Sequence, residues 1–209
     1  TADGIISIEA NDRIYLNERR DQYSEEQLMG LFDKVIPEGR VFIHAHLGAT
    51  DIEEIFSKLR YIIVGCECKW VVVDHLHMLV NVLSEGDERR GIDMLMQRLR
   101  SLVEETGVGL LLVSHLRRAS GDKGHEQGVE VSLSHLKGSQ GIAQLSDCVI
   151  ALERNQQASN EDEANTTRVR VLKSRYTGDT GLACNLRYNG ETGRLFEVTE
   201  EETFDNEDF

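Results

Sequence analysis

The sequence predicts an α/β fold, with a mostly parallel sheet flanked by helices and a carboxyl-terminal β-hairpin. Short apolar runs rich in β-branched residues alternate with segments whose apolar residues recur at helical spacing. The run Val71–Val73 is interpreted as a strand buried on both faces, which is typical of parallel sheets. Leu182–Tyr188 and Leu195–Val198 flank Asn189-Gly190, a dipeptide that favours a hairpin turn.

The helices are predicted from their ends and their apolar stripes. Ser24-Glu25-Glu26-Gln27 and Thr50-Asp51-Ile52-Glu53 have the capping-box form and begin two helices, which end at Pro37 and near Gly65. Gly107 suits the C-cap of a third helix. Residues 75–83 are expected to form an apolar turn, and residues 141–145 a short helix. The strands are expected at Val41–His44, Val71–Val73, Val108–Val113, Cys148–Leu152 and Thr167–Leu172.

Composition places the chain among soluble globular proteins. It has 209 residues, of which 40% are hydrophobic and 29% charged, and no apolar run is long enough to cross a membrane. The net charge of −14 argues against a generally basic surface that coats nucleic acid, but it is compatible with a local basic site. The four cysteines are expected to be free thiols in a reducing, cytoplasmic setting, with Cys148 buried in an apolar run.

Acidic residues are concentrated at the carboxyl end of the chain. Between Glu197 and Phe209 there are seven acidic residues and no basic one. We therefore expect one domain over residues 1–198 and a flexible acidic tail over residues 199–209. Because the first residue is Thr1 rather than Met, we expect the chain to be a fragment of a longer protein.

Polar or charged side chains lie at the ends of four of the predicted strands. They are Asp74, His115, Arg154, and Lys173 with Arg175. In a parallel sheet such ends share one edge, which is where open α/β sheets bind their ligands. Any one of these groups could simply be solvated, and Asp74 could merely begin a turn. Together they predict a nucleotide or phosphate site, in which Asp74 holds Mg²⁺ directly or through water.

Six motifs then occur in the order that is typical of one family. They are Val71-Val72-Val73-Asp74-His75, Leu112-Val113-Ser114-His115-Leu116, Lys137-Gly138-Ser139, Gln144-Leu145-Ser146-Asp147, Ala151-Leu152-Glu153-Arg154-Asn155, and the stretch from Leu172 to Gly181. Over roughly residues 40–198 the chain resembles the helicase domain of bacteriophage primase–helicases of the T-odd, short-tailed type, which are relatives of Twinkle and of the DnaB-type replicative helicases. The resemblance implies a RecA-like ring, usually hexameric, in the cytoplasm of a bacterial host. Such a ring hydrolyses ATP or dTTP with Mg²⁺ between subunits and moves 5′ to 3′ along single-stranded DNA.

The resemblance also implies roles for the residues at the strand ends. Asp74 matches the magnesium-associated acid of the Walker B strand, and His115 matches the residue that senses the γ-phosphate. Arg175 matches an arginine finger donated to the neighbouring subunit's nucleotide, a task that suits a permanently charged, planar guanidinium. Lys173 is expected to touch the same phosphates, whereas His75 is expected only to pack. The alternatives are a histidine that caps a strand, for His115, and a solvated basic pair, for Lys173 and Arg175.

Base and DNA contacts follow from the same resemblance. Arg154 and Tyr188 match the pair that encloses the base, although Tyr188 could be an ordinary strand aromatic. The residues expected in loops facing the ring's channel are Arg117, Arg118, Lys123, Lys137, Gly138, Ser139 and Gln140. Because these loops contain no aromatic residue, we expect them to follow the DNA backbone without reading sequence. The alternative for them is a solvated basic loop.

The sequence also departs from the family. It contains no Gly-x-x-x-x-Gly-Lys-Ser/Thr and no clear match to the catalytic Glu that follows it. We therefore expect residues 1–209 to be the carboxyl-terminal part of a helicase and not to hydrolyse ATP efficiently alone. The alternatives are a RecA-like DNA-binding or recombination-mediator module without its own ATPase, and a recombinase or clock-type ATPase. The tail that ends in Phe209 is expected either to dock on a DNA polymerase or to act as a solubilising end.

Overall fold

The computed structural model describes residues 21–37, 39–43, 51–83, 87–117, 124–137 and 140–199, without the side chains of 81–83. None of the helices in these ranges combines the length and apolar character needed to cross a bilayer. The α-helices are α1 (Glu25–Val35), α2 (Ile52–Arg60), α3 (Leu76–Leu83), α4 (Glu88–Thr106), α5 (Gln140–Leu145) and α6 (Glu161–Ala164). A π-helical turn (Tyr61–Gly65) continues α2, and a 3₁₀ turn (Leu133–His135) precedes α5. The strands are β1 (Trp70–Val73), β2 (Gly109–Leu112), β3 (Cys148–Arg154), β4 (Thr166–Ser174), β5 (Gly181–Tyr188) and β6 (Leu195–Val198).

Side-chain caps set the starts of the first helices. Ser24 and Gln27 form the predicted capping box of α1, with both reciprocal hydrogen bonds present. Helix α2 begins one residue later than the predicted box implies. Its N-cap is Asp51, whose carboxylate accepts from the Glu53 amide, and not Thr50, which lies outside the described residues. Gly107 ends α4 in the left-handed conformation, as predicted.

The strands form one parallel pair and one antiparallel sheet. β1 and β2 are parallel, with Val73 opposite Leu112 at their carboxyl ends. β3, β4, β5 and β6 pair in sequence order and are all antiparallel, and β5 and β6 form the predicted hairpin. The chain returns from β3 to β4 through a connection whose only helix is the four-residue α6. A parallel crossover needs a longer connection, so the strand predicted at Thr167–Leu172 runs antiparallel to β3.

The core lies on one side of β1 and β2. There the buried side chains of α2, α3 and α4 pack against Val71, Val73, Leu110 and Leu112. The opposite face is open in the described part of the chain, where Val72 of β1 is 64% exposed and Leu111 of β2 is 53% exposed. The predicted burial of Val71–Val73 on both faces is therefore wrong for Val72. Cys148, at the start of β3, is exposed and not buried as expected.

Two further segments differ from the prediction. Residues 76–83 form a helix and not a turn, because Leu76, Leu79 and Val80 recur at helical spacing and all reach the core. Residues 41–43 form no strand with any described partner, and Ile43 is 84% exposed. His44, which was predicted to end that strand, lies outside the described residues.

Candidate functional site

Asp74 and His115 lie next to each other at the carboxyl ends of β1 and β2. The parallel pairing continues past both strands, because the Val113 amide donates to the Val73 carbonyl (3.0 Å) and the Leu76 amide to the Val113 carbonyl (2.9 Å). Asp74 is exposed, and its carboxylate has no ion-pair partner in the described part of the chain. A free carboxylate at this edge fits Mg²⁺, which binds proteins through one or two carboxylates and keeps its waters and the substrate phosphates as other ligands.

Three imidazoles meet beside Asp74. The ring centroid of His115 lies 4.0 Å from that of His75 and 5.3 Å from that of His77. His77 is 5% exposed, and its burial lowers the pKa of the ring below its usual 6.5, an effect that the Lys137 charge reinforces. The Lys137 backbone opposes this shift in pKa but forms no well-aligned hydrogen bond to the ring. Sequence reasoning missed His77, although the signal was present as a His-Leu-His sequence directly after a strand end.

Lys173 and Arg175 lie at the amino-terminal end of β3, opposite the end at which Arg154 lies. Because β4 is antiparallel, Ser174 is opposite Cys148, the first residue of β3. The expectation that all four strand ends share one edge is therefore wrong for Lys173 and Arg175. Two ion pairs of α4 show how far the His115 region lies from Arg175. Glu88 pairs with Lys137, which is bonded to His115. Arg100 pairs with Asp147, and Asp147 also pairs with Arg175. From Glu88 to Arg100 the helix rises about 18 Å.

Both basic residues are engaged with the end of α5. The Lys173 ammonium donates to the carbonyls of Ala143 (2.6 Å), Gln144 (3.3 Å) and Ser146 (2.8 Å), so each of its three N–H groups has an acceptor. Arg175 donates to the Gln144 carbonyl (2.9 Å) and forms an ion pair with Asp147 (2.9 Å), while its side chain stays 43% exposed. Lys173 is thus used within the chain, whereas Arg175 still presents part of its guanidinium outward.

Arg154 and Tyr188 come together at the other end of β3. The Arg154 guanidinium donates to the side-chain oxygen of Asn165 (3.1 Å), and the Tyr188 amide donates to the Asn165 carbonyl (2.9 Å). Arg154 lies about 20 Å along the strand from the Cys148 end. Asn155, the next residue, bridges to Gln127 in the segment 124–137 that also pairs with residues after β2. One segment, 124–137, therefore contacts both the residue that follows Arg154 and the chain directly after His115.

Some of the predicted DNA-contact residues lie beside His115. The Lys137 amide donates to the His115 carbonyl (3.0 Å), and the Arg117 amide to the His135 carbonyl (2.8 Å). The Arg117 Nε also donates to the Leu136 carbonyl (3.1 Å), which leaves the rest of its exposed guanidinium outward. Gln140, the first residue of α5, is exposed. The other predicted contacts, Arg118, Lys123, Gly138 and Ser139, lie outside the described residues.

The arrangement of Asp74, His115 and Lys137 is typical of one class of domain. A carboxylate and a histidine at paired parallel strand ends, with a cationic segment bonded to the histidine, are features of nucleotide-binding α/β domains. Residues 7–197 match the model of the DnaB-like helicase C-terminal domain, so the chain belongs to that family.

A curated relative and two solved structures agree with this assignment. The chain is 40% identical over 164 residues to the DNA helicase/primase of Enterobacteria phage T3, which covers 78% of this chain and 28% of that protein. The chain thus spans little more than a quarter of the relative's length. A solved structure described as an ATPase domain matches with a TM-score of 0.70 and 22% identity over 95% of this chain and 70% of that one. A DnaB-like replicative helicase, solved in a study of its interactions with primase, matches with a TM-score of 0.70 and 20% identity over 95% and 48%. These likenesses confirm the predicted RecA-like α/β fold.

Proposed function

We propose that the chain is part of a replicative DNA helicase that couples NTP hydrolysis to 5′-to-3′ movement along single-stranded DNA and to duplex unwinding. The observation that supports this most is the placement of Asp74 and His115 at neighbouring strand ends, next to Lys137. An exposed acid at such an edge suits Mg²⁺-NTP, and a cation bonded through the backbone to the neighbouring histidine suits a DNA phosphate.

The backbone contacts of His115 suggest how hydrolysis is coupled to DNA. Its carbonyl accepts from the Lys137 amide, and Arg117, two residues later, bonds to His135 in the same segment. Both cations therefore depend on the position of one short backbone stretch. A His115 side chain that follows the γ-phosphate would displace both DNA contacts together when that phosphate leaves.

The nucleotide contacts are proposed from the same edge. Asp74 holds Mg²⁺, which neutralises charge on the phosphates, and Arg154 with Tyr188 encloses the base. The shared partner Asn165 fixes the position of the Arg154 guanidinium relative to the Tyr188 backbone. ATP or dTTP is the substrate in this proposal.

Arg175 serves the neighbouring subunit's nucleotide and not the one bound at Asp74 of its own chain. It pairs with Asp147, as does Arg100, which lies about 18 Å along α4 from the end near His115. An arginine finger contacts the transferring phosphate directly. The proposed enzyme is therefore a ring of copies, with six subunits as the expected number.

DNA binding is tested first on the chain itself. Fluorescence anisotropy with labelled oligonucleotides should show binding to single-stranded DNA that weakens with salt and is indifferent to base sequence. Arg117→Ala and Lys137→Ala should each reduce the slope of log K against log salt by about one. Lys58→Ala, which removes a cation paired with Glu54 on the surface of α2, is the matched control and should change nothing. Equal effects of all three substitutions would contradict the proposed interface.

Catalysis is tested in a chimera, because this sequence contains no phosphate-loop motif. The segment of the phage T3 protein that matches this chain is replaced by the corresponding residues of the chain. We expect NTP-dependent unwinding of forked DNA, lost in Asp74→Asn and in Arg175→Ala. The chain alone should show no steady ATP turnover. A chimera that assembles into the parent's oligomer but neither hydrolyses NTP nor unwinds DNA would overturn the helicase proposal.

Mixing the two inactive chimeras separates action within a subunit from action between subunits. An Asp74→Asn subunit retains Arg175, and an Arg175→Ala subunit retains its own nucleotide site. A mixed ring then contains interfaces with both groups, so NTP hydrolysis should return on mixing. If the mixture stays inactive while mass spectrometry shows that subunits have exchanged, Arg175 does not act between subunits.

The absence of the phosphate-loop motif also supports a second candidate, a DNA-binding mediator without its own ATPase. In that case the chain binds DNA as above, but the chimera hydrolyses no NTP.

The acidic tail, of which residues 200–209 lie outside the described structure, is proposed to dock on a DNA polymerase. Deletion of residues 199–209 should weaken the affinity of the polymerase, and unchanged affinity would eliminate that contact.

A further inference from the structure

The three histidines beside Asp74 have the arrangement of a metal site. His75, His77 and His115 each offer one ring nitrogen, and these three nitrogens all lie within 4.8 Å of one another. We refer to these residues as the three-histidine cluster. Three nitrogens that lie within 4.8 Å of one another always have a common point within about 2.8 Å of each, so an inward movement of under about 1 Å reaches the 2.0–2.1 Å of a zinc–nitrogen bond.

The backbone holds the cluster in this arrangement. His75 follows β1, His77 lies in the first turn of α3, and His115 follows β2. The hydrogen bond from the Leu76 amide to the Val113 carbonyl (2.9 Å) ties the start of α3 to the end of β2. Leu76, between His75 and His77, is fully buried. The imidazoles therefore need little ordering when an ion binds, which favours affinity.

The ring nitrogens are also available to an ion. Both nitrogens of His77 and the Nδ1 of His75 are buried and have no hydrogen-bond partner among the described residues. Buried polar groups are normally hydrogen-bonded, and an unpaired one costs free energy. A metal ion would give one nitrogen of each ring a partner, whereas a purely structural histidine in the core would normally have a hydrogen-bond partner. His115 is exposed, which gives an ion access from solvent.

We propose that the three-histidine cluster binds one borderline transition-metal ion of the Zn²⁺ type, with a water molecule as its fourth ligand. Neutral imidazole is a good ligand for Zn²⁺ and Co²⁺, and three protein ligands with one open position is a common arrangement for zinc. Mg²⁺ prefers oxygen ligands, so this site is distinct from the one proposed at Asp74.

The proposed metal site and the proposed nucleotide site both use the side chain of His115. Ligation takes up a nitrogen of His115, so a bound Zn²⁺ and a contact from that nitrogen to a phosphate exclude one another. Zn²⁺ would then act as an inhibitor of nucleotide use. This consequence rests on the proposed function, whereas metal binding does not and is measured without nucleotide.

Metal binding is tested on the purified, metal-free chain. Calorimetry with Zn²⁺ should give one ion per chain, and Co²⁺ should produce the visible absorption of a tetrahedral site. His77→Gln and His115→Gln should each weaken binding by at least about tenfold and abolish the tetrahedral Co²⁺ spectrum. Because His77 is buried, circular dichroism checks its folding, and the exposed His115 gives a variant whose fold is not at risk.

Matched controls come from other possible ligands in the chain. His125 and His135 also have close rings, 5.1 Å apart, so the double variant His125→Gln/His135→Gln removes two histidines outside the cluster. Cys66→Ser/Cys68→Ser removes the two thiols that lie closest in sequence to His75 of the cluster. Neither control should change the stoichiometry or the Co²⁺ spectrum. The proposal is overturned if binding persists in both His77→Gln and His115→Gln, or if it is lost in either control.

Discussion

Glu153 and Arg170 form a buried ion pair, and removing one partner should destabilise the protein measurably. The Glu153 side chain is 3% exposed, and its Oε1 accepts from the Arg170 Nε (3.0 Å) and from the Val131 amide (2.8 Å). The perturbation is Arg170→Met, which keeps an unbranched apolar stem and removes the cation. The buried carboxylate is then left with the Val131 amide as its only described donor.

The expected loss is about 3 kcal/mol of unfolding free energy, the lower end of what breaking a buried ion pair costs. The lower end applies because the Val131 hydrogen bond remains and because Arg170 is itself 19% exposed. The second contact of Arg170, to Glu130 at 3.4 Å, adds little because the Glu130 side chain is 71% exposed. Urea denaturation followed by circular dichroism measures the difference.

Arg168→Met is the matched control, because Arg168 lies on the same strand but is exposed and has no ion pair in the described structure. It should change the unfolding free energy by less than about 0.5 kcal/mol. Adding Glu153→Gln to Arg170→Met should recover much of the loss, because the neutral amide still accepts from Val131 and needs no cation. The reasoning is refuted if Arg170→Met costs no more than Arg168→Met, or if the second substitution recovers nothing.

Further predictions concern single substitutions, whose effect is measured by urea denaturation except where a thermal midpoint is named. Gly107→Ala should lower the unfolding free energy by about 1 kcal/mol, because a φ of +70° is strained for alanine even though the new methyl group meets no other atom. Gly30→Ala should raise it by about 0.5–1 kcal/mol, because Gly30 lies inside α1, where alanine is the better helix former and its methyl group meets no other atom. The Arg98 hydrogen bond holds the pKa of Glu53 below its usual 4.5, so its contribution is present above pH 4.5 and is lost as the pH falls through the lowered pKa. Glu53→Gln should therefore flatten the acid limb of the thermal midpoint against pH. Lys173→Met should cost about 2 kcal/mol, because it removes a charged donor from three carbonyls at the end of α5.

Local signals in the sequence were sufficient for the elements around Asp74. Consecutive valines predict β1, and the side chain that follows a strand must lie at the strand's end. The capping box of α1 and the C-cap at Gly107 were likewise confirmed, because such bonds form between residues close in sequence. The hairpin of β5 and β6 was confirmed for the same reason, since its turn is set by neighbouring residues.

Strand direction could not be obtained in this way. An apolar alternation such as that of Thr167–Leu172 is the same whether the strand runs parallel or antiparallel to its neighbour. The direction depends on the connection that precedes the strand, and here α6 is too short for a crossover. Burial of each face of a strand could not be predicted either, because three valines in a row do not reveal that one face of β1 is open. The three-histidine cluster depends on the pairing of β1 with β2, which no single segment encodes.

The error in strand direction changes how Arg175 must be understood. If β4 were parallel, Arg175 would lie at the same edge as Asp74, and one chain could supply both groups to one nucleotide. The antiparallel register places Arg175 beside Cys148 and pairs it with Asp147, so its own chain holds it away from Asp74. A guanidinium that remains 43% exposed at that edge is available to a second molecule. The fold thus separates the acid from the arginine within a copy, and a complete site of the proposed kind requires two copies.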